Sequence, residues 1–143
     1  MVVKYAGIAL STGIIAAGLL LATMTPLEAQ DVDCSDTYNL PQIALNFCAL
    51  EDFNTADQEL NTTWKTVFAI IKSHDAQEEM ESRKGWPGVL LQAQRDWIKF
   101  RDSHCESARF AFRGGSIEPL IYHSCRADLT RQRTNQISGL VEE

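Results

Sequence analysis

Residues 91–105 read LQAQRDWIKFRDSHC, a stretch with the three- and four-residue spacing of an α-helix. One face of that helix carries Gln94, Trp97, Arg101 and Cys105. An amide and a guanidinium therefore stand on the stripe that a helix of a small domain normally keeps apolar. Because buried polar groups are almost always hydrogen-bonded, the sequence predicts polar partners for Gln94 and Arg101 on a neighbouring helix.

The same periodicity extends this helix over residues 89–110 and predicts two further helices. A first long helix spans residues 41–73, and a last one spans residues 117–138, with Ser116 as its N-cap and Gly139 as its stop signal. No hydrophobic stretch alternates with the period of a β-strand. The sequence thus predicts an all-α fold, a long antiparallel helical hairpin with a third helix packed across it.

Polar residues on the first helix can face those on the second. Facing residues of an antiparallel hairpin have a nearly constant sum of numbers, and one register pairs Asp57 with Arg101 and Asn61 with Gln94. The same register also pairs apolar residues, Phe47 with Ala108 and Trp64 with Leu90, and Ile43 lies on the same predicted core stripe of the first helix as Phe47. We expect these four polar residues to form a structural network. Such a network contributes little net stability, so its expected role is to fix the register of the two helices. The alternative is that Asp57 and Arg101 line a catalytic cleft.

The first 29 residues have the organisation of a secretory signal peptide. A lysine stands near the start, an apolar run covers residues 6–22, and an alanine precedes the expected cleavage point after residue 29. The alternative is a retained membrane anchor, because the run is close to the lower length limit for spanning a bilayer. Cys34 follows Asp-Val-Asp, which is not a lipoprotein signal. We therefore expect one helical domain, residues 30–143, in the periplasm or secreted, with no stable membrane insertion after cleavage.

The net charge indicates the kind of partner. The formal charge is −6 at neutral pH, and the predicted cleavage leaves it unchanged because it removes one lysine and one glutamate. Nucleic-acid binding is not expected of such a chain, since phosphates attract lysine and arginine. A basic protein would instead be steered towards it, and cationic antibacterial proteins are one such class.

All four cysteines lie in the exported part, where an even number of cysteines predicts disulfides. Four cysteines allow three connectivities. We favour Cys34–Cys48 and Cys105–Cys125, because each bond would close a short loop near the end of a helix. The alternative is a zinc site made of the histidine–cysteine pairs, His104 with Cys105 and His123 with Cys125, but its spacing matches no common zinc motif.

Motifs of enzymes are missing from the sequence. It contains no Gly-x-Ser-x-Gly, no His-Glu-x-x-His and no phosphate-binding glycine loop. Each histidine could act as a base, but none has a partner nucleophile that the sequence reveals. We therefore predict a binding protein that is not an enzyme and uses neither a cofactor nor a metal.

A set of ordered motifs resembles the LprI family of small exported proteins. They are Ala56-Asp57-x-x-Leu60-Asn61, Gln94-x-x-Trp97-x-x-x-Arg101-Asp102-x-x-Cys105, Gly114-Gly115-Ser116 and Cys125-x-x-x-Leu129-Thr130-x-x-Arg133-Thr134. The resemblance covers residues 34–140. The sequence departs from the family pattern in two respects: Trp64 replaces the usual tyrosine, and the lipid-attachment signal of the mycobacterial namesake is missing.

This resemblance implies a lysozyme inhibitor that acts on c-type lysozyme, which is a strongly basic protein. The cleft of a lysozyme depends on two carboxylates, so a protein that blocks it needs a donor or cation together with apolar bulk. Arg109, Phe112, Arg113 and Ser116 offer both around a Gly-Gly turn, and we take them as the hypothetical partner-binding residues. Two alternatives remain: a simple connecting turn with this sequence, and an envelope-associated helper with a different protein partner.

Overall fold

The computed structural model describes residues 32–141, and these residues form an all-α fold. Helix α1 spans Gln42–Gln77, α2 spans Trp86–Phe110 and α3 spans Glu118–Ser138. A single 3-10 turn, Glu81–Arg83, lies between α1 and α2, and no strand occurs among the described residues. The predicted fold class is confirmed. α1 ends four residues later than predicted, and α2 begins three residues earlier.

The predicted signal peptide, residues 1–29, lies outside the described residues, and so does the alternative of a retained anchor. Within residues 32–141, none of the helices combines the length and the apolar character needed to cross a membrane.

The chain reverses between α1 and α2 with the help of a side chain from α1. Gly85 has a φ of 104°, a left-handed conformation that glycine adopts without steric cost. The Asp75 carboxylate accepts hydrogen bonds from the backbone N–H groups of Gly85, at 2.7 Å, and of Trp86, at 3.1 Å. An acid ten residues upstream therefore caps the start of α2. This cap fixes how the second helix leaves the turn.

The third helix runs lengthwise against the hairpin. At its start, Asn46 Nδ2 of α1 donates to the backbone oxygen of Ser116 at 2.9 Å. Near its end, Ile137 belongs to a buried cluster with Val67 of α1 and Leu90 of α2. α3 therefore runs parallel to α1 and antiparallel to α2, and α1 packs more extensively on α3 than on α2.

The buried face of α1 differs from the predicted stripe. Its buried residues are Ala44, Cys48, Ala49, Phe53, Ala56, Leu60, Val67 and Ile71. Two members of the predicted stripe, Ile43 and Phe47, are 79% and 45% exposed, so the expected burial of Phe47 is wrong. The physical reason is that α3 packs on the face of α1 that carries Ala49 and Phe53, so Ile43 and Phe47 remain outside the contact.

Candidate functional site

The structure brings Asp57 and Arg101 together. The Arg101 side chain is 6% exposed, and its Nη1 donates to Asp57 Oδ1 at 3.1 Å and to Thr130 Oγ1 at 3.2 Å. Arg101 Nε also donates to Asp102 Oδ1 at 2.9 Å. A cation buried to this degree needs such partners, because an unpaired charge is very costly away from water. One guanidinium thus links all three helices.

Asn61 and Gln94 do not pair as predicted. Asn61 is exposed, and its Nδ2 donates to Asp57 Oδ2 on its own helix at 3.0 Å. The Gln94 oxygen instead accepts from Arg133 Nε of α3 at 2.9 Å. The predicted register considered only two helices, whereas the third helix supplies the partner of Gln94.

Three arginine side chains lie close to aromatic rings where the helices pack together. The Arg101 guanidinium lies 5.2 Å from the ring centres of both Phe53 and Trp97. Arg126 lies 3.7 Å from the Phe53 ring, and Arg133 lies 5.8 Å from the Trp97 ring. A cation is attracted electrostatically to the face of an aromatic ring. Arg101 is therefore held by two rings as well as by the two acids Asp57 and Asp102, which favours a structural role for Arg101 over a catalytic one.

The environment of His123 disfavours its charged form. Its Nδ1 is buried without a hydrogen-bond partner among the described residues. Burial lowers the pKa of His123, and the nearby cations Arg126 and Arg109 lower it further. The histidine is consequently neutral at pH 7, and its charged neighbours are cations.

Two disulfides connect the predicted cysteine pairs, so the favoured connectivity is confirmed. Cys34 joins Cys48, and Cys105 joins Cys125, with Cα–Cα distances of 5.5 Å and 5.6 Å. Cys105 is fully buried, whereas Cys34 is exposed. With both pairs oxidised, the cysteines are not available as thiolate ligands for a metal.

The turn between α2 and α3 is held by internal contacts. Gly114 has a φ of 80°, and its N–H donates to Glu118 Oε2 at 2.8 Å. Arg109 forms ion pairs with Glu106, at 2.7 Å, and with Glu118, at 3.4 Å. Arg109, a predicted contact residue, is therefore already engaged within the chain. The pair with Glu118 connects the end of α2 to the start of α3 across the turn.

Arg113 and two phenylalanines point outwards from this turn. Phe110 is 61% exposed and Phe112 is 42% exposed. The Arg113 guanidinium lies 5.1 Å from the Phe110 ring, and it forms no ion pair with any acid in residues 32–141. A cation is thus presented beside exposed aromatic surface.

The start of α1 lies beside the same turn, because Asn46 bonds to Ser116. Ile43 and Phe47, both exposed, flank Asn46 along the helix. We call the set Ile43, Phe47, Phe110, Phe112 and Arg113 the apolar end surface. Sequence reasoning placed Ile43 and Phe47 on the core stripe, and their spacing contains no signal that would have shown them exposed.

Comparisons with known proteins found a matching family and a similar protein. The family described as lysozyme inhibitor LprI matches residues 34–137. An uncharacterized protein of Rhizobium meliloti (strain 1021) is 39% identical over 129 residues, which cover 89% of this chain and 93% of the relative. No solved structure gives a significant match.

Proposed function

The chain belongs to the LprI family of lysozyme inhibitors, and from that premise we propose that it binds and inhibits a c-type lysozyme outside the cytoplasm. It would act as a binding protein without catalysis of its own. Both disulfides fit an oxidising compartment, so an extracytoplasmic location is indicated. Cleavage after residue 29 would release the protein into the periplasm or outside the cell, whereas an uncleaved segment would remain as a membrane anchor. Mass spectrometry of the exported protein would distinguish these outcomes.

Net charge supports a basic partner. The chain carries −6, and opposite charge raises the rate of encounter in a salt-dependent way. Inhibition should therefore weaken as the salt concentration rises.

The observation that carries the proposal is Arg113 in its setting on the apolar end surface. An inhibitor of a cleft with two carboxylates needs a cation or donor near the acids and apolar bulk to displace water. Arg113 supplies a guanidinium with no internal acid partner among the described residues, and Phe110 and Phe112 supply exposed rings beside it. The Gly114–Glu118 bond and the Cys105–Cys125 disulfide hold the turn, which lowers the entropy lost on binding.

A lysozyme assay on peptidoglycan tests both the function and the surface. We expect the purified protein to inhibit a basic c-type lysozyme, and we expect Arg113→Ala and Phe112→Ala each to weaken inhibition by about tenfold or more, as for residues at the centre of an interface. Arg95→Ala and Phe100→Ala are matched controls, because both residues are exposed on α2 away from the turn.

Each result has a defined meaning. If Arg113→Ala and Phe112→Ala inhibit as well as the wild type, the turn is not the contact surface. If the wild type does not inhibit at all, the function is wrong. Absence of both inhibition and binding in a pull-down with basic lysozymes would favour the alternative, an envelope-associated helper with a different protein partner.

A further inference from the structure

A cavity of about 590 Å³ opens beside the Cys34–Cys48 disulfide, where the N-terminal segment (residues 32–41), α1 and α3 meet. Leu45 and Ala49 of α1 and Leu120 of α3 provide apolar walls. The carboxylates of Glu51 and Asp52 are part of its lining. A cavity with apolar walls and an acid at its edge has the chemistry to accept a side chain with an aliphatic stem and a charged head.

The two carboxylates differ in what they already bind. Asp52 forms an ion pair with Arg131 of α3, so its charge is compensated. Glu51 accepts a hydrogen bond from Asn54 Nδ2 at 3.0 Å, and it has no cationic partner in residues 32–141. Glu51 is therefore the acid of this cavity that remains available to a cation.

Further negative charge stands on the N-terminal segment. Asp33 and Asp36 flank Cys34, which contributes to the cavity lining. A hydrogen bond from the backbone N–H of Ser35, at 2.9 Å, lowers the pKa of Asp33, so this carboxylate stays ionised. The potential around the opening is consequently negative, and it complements a cation.

We propose that this cavity receives a lysine or arginine side chain of the basic protein partner. The aliphatic stem would lie along Leu45, Ala49 and Leu120, as lysine and arginine stems commonly lie on apolar surface. The charged head would reach the Glu51 carboxylate, and a charge-assisted hydrogen bond would hold it there. The identity of the partner rests on the proposed function, whereas the chemistry of the occupant rests on the cavity itself.

The cavity opens on a different side of α1 from the exposed residues at the start of that helix. Leu45 lines the cavity and stands two residues from both Ile43 and Phe47, which places it about 200° around the helix from each of them. The cationic side chain would therefore make a contact separate from that of Ile43 and Phe47, and the two sites are tested independently.

Nuclear magnetic resonance with a trilysine amide tests the cavity without any lysozyme. We expect chemical-shift changes in the backbone amides of Ala49, Thr55 and Leu120. Glu51→Gln should weaken binding by about threefold or more, as for loss of a surface ion pair. Glu59→Gln is the matched control, because it removes the same charge from an exposed site on α1 that does not line this cavity.

A variant that fills the cavity provides a second test. Thr55 lines the cavity, and its hydroxyl bonds only to the Glu51 backbone oxygen one turn earlier. Thr55→Phe should occupy the space and abolish the trilysine shifts, whereas Thr55→Ser should keep them. Shifts that are absent in the wild type, or equal losses in Glu51→Gln and Glu59→Gln, would overturn the inference. An uncharged hexylamide probe that binds as well as trilysine would also overturn it.

The lysozyme assay separates this inference from the function. If Glu51→Gln inhibits less well than Glu59→Gln, the cavity contributes to the complex. If both variants inhibit like the wild type, the inference fails and the function stands. If trilysine binds at Glu51 but no lysozyme is inhibited, the function fails and the cationic cavity stands.

Discussion

Arg101 and Asp57 are joined by a 3.1 Å ion pair in which the cation is buried and the acid is partly exposed. The pair connects α2 to α1, and the bond from Arg101 to Thr130 extends the connection to α3. A slip of any helix by one turn would separate these groups and leave the guanidinium without its partners. We therefore propose that the pair specifies the register of the three helices.

Loss of Arg101 should destabilise the fold strongly. We expect Arg101→Met to lower the free energy of unfolding by about 3 kcal/mol, because it removes the cation between two acids and its contacts with Phe53 and Trp97. Asp57→Asn should cost about 1 kcal/mol, since an amide oxygen still accepts the hydrogen bond. Urea unfolding of both variants and of the double variant measures this. Strictly additive losses would contradict a direct coupling between the two residues.

Gln94 and Asn61 should differ in how much each contributes to stability, because their hydrogen-bond partners differ. Gln94→Leu should cost about 1–3 kcal/mol, because it leaves Arg133 Nε, which is directed at the amide oxygen, without its acceptor. Asn61→Ala should change stability by less than about 0.5 kcal/mol, since Asn61 is exposed. The same urea experiment compares them. Similar losses for both variants would argue for the Asn61–Gln94 pair that the sequence suggested.

The sequence was sufficient for the helices, both disulfides and the Asp57–Arg101 pair. Helical periodicity is a local property, and opposite charges at matching positions restrict the register of two helices. Cys34 and Cys48 stand close in sequence, as do Cys105 and Cys125, so pairing neighbours was also a local inference.

The remaining features depend on the third helix, which local patterns do not place. Gln94 bonds to Arg133 only because α3 lies against α2, and Phe47 is exposed because α3 packs on the face of α1 that carries Ala49 and Phe53. The cavity beside Cys48 arises where three segments meet. The hydrophobicity of a single helix does not determine which of two adjacent faces a later helix will cover.

The cap that Asp75 forms on α2 should contribute measurably to stability. We expect Asp75→Ala to cost about 1 kcal/mol, because two backbone N–H groups at the start of the helix lose their acceptor. Asp75→Asn keeps an acceptor oxygen and should cost less. Thermal unfolding by circular dichroism is the measurement, and equal losses for the two variants would show that charge, and not the acceptor, matters.

The two disulfides should differ in their response to reductant. Cys34 is exposed and Cys105 is fully buried, so a thiolate reaches the first bond more easily. We expect mild reduction followed by alkylation to label Cys34 and Cys48 before the other pair. Replacing Cys105 and Cys125 by serine should cost about 3 kcal/mol. Labelling of all four cysteines at one rate would contradict the difference in access.

His123 should make stability depend on pH in the weakly acidic range. Burial, Arg126 and Arg109 lower the pKa of His123 in the folded protein below the ordinary value of 6.5. As the pH falls through about 6.5, the unfolded chain takes up a proton that folded His123 does not, so the free energy of unfolding falls.

Urea unfolding at about pH 7.5, 6.5 and 5.5 tests this expectation, because these values bracket the ordinary pKa of histidine. His123→Gln should lose less stability between the first and last pH than the wild type does. His104→Gln, on the exposed face of α2, is the control and should follow the wild type. Identical pH dependence in all three proteins would mean that the neighbouring arginines and the burial of Nδ1 do not affect the protonation of His123.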